Sequence, residues 1–546
     1  MDSFLHAASI RRTDAGAPLP AIRRTDAGSP LPGDTLLIHA ARHAHASAIA
    51  MLASAGNDVN QARSGGITAL FVASELGHAI TAAALLDAGA SVNQAKGGGV
   101  TPLYIAASAG HVETVQLLID AGAALAQTKA GGVTPLHIAS SRGRTEVVSA
   151  LIAAGADPDA AADDESTPLY AACQKGHSAA AAVLLSARAA VDQASNGASP
   201  LLIACRSGHD ETVSVLLRAR AAVNRSNKDV ITPLYLACQQ GYASVASLLL
   251  EARATVNHCS NDTMALNIAC QEGHAATVEV LIAARAALDH SRAGGCTALA
   301  IASCSGRSAA AAIVTMLCEA GAGLNQADQD GASPLFVASY RGIAPVVGVL
   351  CAARADVNQP THGGVTPLYV ACCEGHLQCV QLLCSYGAAR VATVEGVVET
   401  MEQVATDTAV LEWLVCSRRW STPLHHVDAG VDAPRARALL RVGASLHARD
   451  ADPTPGAPTP LSVATAVHAR SHATCPPPSS SAAALVLRAA EQWSPATHDL
   501  FPEAARQRAV ELMLISHRLS DRIGRQSGLF DLWMDRVMPL LVRREG

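Results

Sequence analysis

Side chains able to hold a metal are densest near residues 372–384, where Cys372, Cys373, His376, Cys379 and Cys384 crowd together. Thiolate and imidazole are the ligands zinc takes, and a structural site needs four of them on one tetrahedron. The wider spacing argues for packing instead. Cys173, Cys205, Cys238, Cys270 and Cys372 each stand six residues after a recurring start signal. His376 is likewise one of a series, with His78, His111, His177, His209 and His274, each preceded by glycine. A free cysteine at a periodic apolar position behaves as a small hydrophobe. No metal and no cofactor are expected.

Catalytic arrangements fare no better. The sequence has no Walker loop, no G-x-S-x-G elbow, no HExxH and no kinase signature. The paired acids Asp164 and Glu165 fall in a polar stretch between apolar segments, where a solvated loop is expected. No enzyme is expected.

The elements behind these series repeat. A Thr/Ser-Pro-Leu signal or a close variant begins at Thr35, Thr68, Thr101, Thr134, Thr167, Ser199, Thr232, Met264, Thr297, Ser333 and Thr366, at spacings of 32 to 36 residues. The unit at Thr101 shows why this is structure. Thr101 is a natural N-cap and Pro102 sits where a helix tolerates proline. Leu103, Ile105, Ala106 and Ala107 make a short apolar helix, and Gly110 ends it. Val112, Val115, Leu117 and Leu118 mark a second helix, closed by Gly122. A glycine-rich polar loop leads to the next start. Half of the sequence is hydrophobic but only 3% of it is aromatic, which suits short, closely packed helices.

These residues resemble the ankyrin repeat: TPLYIAA at the first helix, GHVETVQLL at the second, and AGASVNQ (Ala88 to Gln94) at the exit. The resemblance covers residues 34–388 in about eleven units and implies an all-α solenoid of stacked helix-turn-helix units. It also implies a protein-binding scaffold. Recognition would use loop tips and the groove-facing ends of the first helices. Those ends carry Gln174, Lys175, Arg206, Gln239, Gln240, Gln271, Glu272, Tyr340, Arg341 and Glu374. Many tips are only Gly-Gly, as at Gly65-Gly66 and Gly131-Gly132, so the groove is the better candidate.

One departure stands out. The glycine after the second helix (Gly89, Gly122, Gly155) becomes Arg188, Arg220, Arg253, Arg285 and Arg354 elsewhere. Two readings are open. The arginines meet the helix C-terminal dipole and cap its carbonyls, or they form a column facing an acidic or phosphorylated partner.

The flanks differ from the array. Residues 1–33 nearly repeat an RRTDAG-x-PLP motif and are expected to be a disordered tail. Residues 389–495 read as degenerate repeats and linker. Residues 496–546 read as amphipathic helices, over 502–521 and 528–542. They are either a lid on the last repeat or an adaptor, which would make the chain a substrate-recognition subunit of a ubiquitin ligase. The net charge of −6 gives no reason to expect nucleic-acid binding. No apolar stretch is long enough to span a membrane. Fifteen cysteines without a secretory signal suggest an intracellular protein, cytoplasmic or nuclear, and a monomer is expected.

Overall fold

The computed structural model describes residues 35–260, 262–292, 294–417, 433–442, 444, 459–461 and 463–465. The tail at 1–33 and the segment 496–546 lie outside the described residues, as does most of the chain from 418 to 495.

The described chain is predominantly helical, and its helices come in antiparallel pairs set by the local signals. Thr101 Oγ1 accepts from the Tyr104 N–H at 3.1 Å, opening the helix Pro102–Ala109. Gly110 leaves it at φ 94°, and a two-residue turn enters Val112–Asp120. The same cap forms at Thr35, Thr68, Thr134, Thr167, Ser199, Thr232, Thr297, Ser333 and Thr366. Each such cap contributes about 1 kcal/mol. Met264 has no hydroxyl to cap with. There the chain enters Ala265–Glu272 from a short bridge that pairs Cys259–Ser260 with Thr263–Met264.

Neighbouring pairs stack like on like. Pro135–Ser141 packs on Pro102–Ala109 and on Pro168–Lys175, while Thr145–Ala153 packs on Val112–Asp120 and on Ser178–Ser186. The buried layer is aliphatic: Leu103, Ala106, Val115 and Leu118 are at most 1% exposed. Alanine at the contact lets helices approach closely, which explains how a core this poor in aromatics fills its space.

The described residues belong to two compact units, Met1–Ala269 with Ala283–Ala286 and Cys270–Ile282 with Ala287–Gly546. In the second unit the array continues past Gly387 without a Thr-Pro-Leu. The loop becomes an antiparallel hairpin, Val391–Val394 with Val397–Thr400. A one-turn helix, Met401–Val404, follows, with Gln403 Oε1 accepting from the Thr400 N–H at 2.8 Å. Asp407 then caps Thr408–Cys416. This pair therefore has its own start at Thr400, without the proline and leucine of the regular signal.

Candidate functional site

The groove-facing ends are built by a contact between successive repeats. Most first helices end at a left-handed glycine, and the next repeat lays a side chain against it, in most cases a ring. A Cβ on Gly77, Gly143, Gly176 or Gly342 would lie 2.5 to 2.6 Å from the Nδ1 of His111, His177, His209 or His376. The ring also binds the earlier repeat's backbone. His111 Nε2 lies 3.1 Å from the Glu75 carbonyl, His209 Nε2 lies 3.2 Å from that of Gln174, and His376 Nε2 lies 3.0 Å from that of Tyr340. Arg144 covers Gly110 in the same way and donates to the Ser108 carbonyl. The glycine-histidine series is thus a clamp made from two repeats.

In the first unit His209 clamps the end carrying Gln174 and Lys175, Tyr242 covers Gly208 after Arg206, and Gln174, Lys175, Arg206 and Gln240 are exposed, with Gln239 half-buried. In the second unit Gln271, Tyr340, Arg341 and Glu374 are exposed. Glu272 is half-buried and paired with Arg307 at 2.6 Å, while Gln271 accepts from Arg292 at 3.2 Å. Any partner there competes with an existing ion pair.

The five arginines after the second helices all adopt the left-handed conformation, with φ between 59° and 71°. All are exposed. The helix-end carbonyls are capped by backbone: Arg188 N donates to Leu185 O and Ala189 N to Leu184 O, both at 3.0 Å. No described side-chain hydrogen bond or ion pair reaches any of the five guanidiniums, so capping of carbonyls by the side chain does not explain them. Glycines at the same position show why a side chain fits. A Cβ on Gly89, Gly122, Gly155, Gly321 or Gly387 would meet nothing within 4 Å. Antiparallel pairing puts these arginines at the opposite end of the helix pair from the groove-facing residues. The two groups of candidate residues are therefore not brought together.

Two further devices hold the loops, and sequence reasoning missed one. Asn60, Asn93, Asp159, Asp192 and Asn224 each accept, through a side-chain oxygen, a backbone N–H from the following repeat at 2.6 to 3.0 Å. The periodic Val-Asn-Gln was visible, but its role needs the neighbouring loop. The Gly-Gly tips are also linked, Gly97 N to Gly65 O and Ala130 N to Gly98 O, both at 2.8 Å. Their glycine content serves stacking.

The residues first suspected of chemistry take structural places. Cys173, Cys205, Cys238, Cys270 and Cys372 are fully buried in first helices. Burial pushes the Cys270 and Cys379 thiols up to about 12 and Cys384 up to about 11. Such thiols are poor nucleophiles. Among the described residues no group of three or more His, Cys, Asp or Glu could hold a metal ion.

Asp164 is not simply solvated. It accepts from both the backbone N–H and the hydroxyl of Ser166, which hold its carboxyl below the usual range. Ser166 Oγ lies 2.9 Å from His137 Nε2. The hydroxyl has one proton and directs it to Asp164, so it accepts from His137. A nucleophile would need the reverse polarity.

His137 is buried with Nδ1 unpartnered, and burial lowers its pKa. The folded state therefore holds it neutral. Its contribution is present above the unfolded value near 6.5 and is lost as pH falls through the lowered folded value. Urea midpoints at pH 7.5 and 5 should fall more in wild type than in His137→Tyr, which places there the residue found at Tyr104 and Tyr170. Equal losses would remove His137 from the acid response.

Antiparallel helix pairs stacked like on like and joined by clamps define a helical repeat protein of the solenoid class. Residues 93–162, 158–228, 234–328 and 299–393 match the family model "Ankyrin repeats (3 copies)", together more than half of the chain. The chain belongs to the ankyrin-repeat family. It is similar to the crystal structure of the human ASB11 ankyrin repeat domain at 31% identity, over 41% of this chain and 99% of that one, with a TM-score of 0.38. No curated protein matches. Among the described residues no helix is long and apolar enough to cross a membrane.

Proposed function

We propose that this protein is a non-enzymatic, monomeric, intracellular scaffold that binds partner proteins along the groove-facing ends of its first helices. The observation that carries this reading is the glycine-histidine clamp. His209 holds the helix end carrying Gln174 and Lys175 through a backbone contact and Tyr242 covers the end carrying Arg206, while these three side chains and Gln240 stay exposed. Rigid backbone under exposed polar side chains is what specific recognition needs, because little order is lost on binding. Tyr340, Arg341 and Glu374 offer the same in the second unit, and tyrosine and arginine are the residue types enriched where binding energy concentrates.

The test is proximity labelling in cells with the full chain and with a Lys175→Glu, Arg206→Glu, Gln240→Glu variant of equal abundance. Partners specific to wild type should be depleted at least fivefold in the variant. Identical partner sets would overturn the groove reading. A role as a ubiquitin-ligase substrate receptor rests on residues 496–546. Recovery of ligase components by the full chain, and their loss on truncation after residue 495, would support it.

A further inference from the structure

We infer that the arginines after the second helices of the first unit form a second docking surface, for an extended acidic segment of a partner protein. Arg188, Arg220, Arg253 and Arg285 all lie in that unit, each at the same position of its repeat. Three observations carry this. The first is conformational. An L-residue held left-handed costs roughly 1–2 kcal/mol, and glycine at this position escapes that cost in Gly89, Gly122 and Gly155. Where a side chain must be left-handed, asparagine or aspartate is the least costly choice. Arginine has no such backbone advantage, so its use four times over is not explained by the turn.

The second is the lack of an internal partner. The helix-end carbonyls take their bonds from backbone N–H groups. The nearby loop carboxylates are already engaged: Asp159 accepts from Ala190 N at 2.8 Å and Asp192 from Ala222 N at 3.0 Å. The exposed guanidiniums thus keep their donors for an outside acceptor.

The third is spacing. Stacked helices lie about 8–10 Å apart, and an extended polyproline-II chain rises about 3.1 Å per residue with three residues per turn. One arginine per repeat therefore matches one carboxylate in every third residue, all on one face of such a peptide. Phosphates along a nucleic-acid strand recur at one per nucleotide, closer together than one arginine per repeat. Guanidinium binds a carboxylate through two parallel N–H donors, which adds geometry to charge.

The experiment uses the full chain and fluorescent peptides. One peptide carries four glutamates, one at every third residue; a control carries the same four glutamates consecutively; a third probe is a twelve-nucleotide oligothymidine. The spaced peptide should bind saturably and at least fivefold more tightly than either control. In a variant with all four arginines changed to glycine, the regular residue of the position, its affinity should fall at least tenfold while the melting temperature rises. The Lys175→Glu, Arg206→Glu, Gln240→Glu variant should hold its affinity within twofold, which separates this surface from the groove. Absent saturable binding, binding that survives the four-glycine change, or a control that binds as tightly as the spaced peptide would each overturn the inference.

Discussion

Changing Gly99 to alanine should cost about 2–4 kcal/mol of stability, whereas Gly122→Ala should cost only about 1 kcal/mol. Both glycines are left-handed, at φ 79° and 81°, so the conformational penalty is shared. The difference is what the methyl group meets. At Gly99 a Cβ would lie 2.8 Å from the Thr128 carbonyl oxygen and 3.3 Å from the Lys129 Cα. Both belong to the next tip's backbone, which cannot rotate away as a side chain can. Relief requires parting two tips joined by the Ala130 N to Gly98 O bond. At Gly122 nothing lies within 4 Å. Urea unfolding of the two variants measures the gap directly, and equal losses would show that tip stacking contributes nothing to stability.

Leu216→Ala should cost about 3 kcal/mol, within the usual 2–5 kcal/mol for deleting a buried leucine side chain. Leu216 is fully buried in Asp210–Arg218, between the helices Ser178–Ser186 and Ala243–Glu251. The distribution of the damage is the sharper expectation. In a stacked array each repeat contacts only its neighbours, so the loss is felt first by the helices carrying Leu184 and Leu249. Hydrogen exchange should show protection lost in these three helices and retained in Ala79–Asp87. Uniform loss across all four would mean that this unit unfolds as one cooperative block.

The legible part of this protein was whatever a single repeat contains. Thr101, Pro102 and Gly110 act on their own chain neighbours, so their types and spacing announce cap, first turn and exit. The arginines were legible as a periodic replacement of glycine for the same reason, but that their backbone stays left-handed was seen only in the structure. What the sequence withheld lies between repeats. His111 shows as part of a Gly-His pair, but its purpose is to cover Gly77, more than thirty residues back. Asn93 gives no sign that Ala124 N will reach it. That Ser166 accepts from His137 was hidden likewise, since the two meet only after two repeats have stacked, whereas the bonds of Asp164 to Ser166 are local and could have been read. Nor could spacing reveal that Glu272 is occupied by Arg307. Thr400 was hidden differently: the start signal survives there as a hydroxyl alone, without the proline and leucine that make it visible.

The clamps and ladders join each repeat only to its chain neighbours. His78 reaches back to Ala41, His111 to Glu75 and His209 to Gln174, while Asn60 and Asn93 reach forward to Ser91 N and Ala124 N. Each repeat completes the one made before it. During synthesis, a repeat waits only for its successor to leave the ribosome, a lag of roughly 2–7 seconds at ordinary elongation rates. The nascent chain then exposes about one unfinished repeat at a time, however long the array grows.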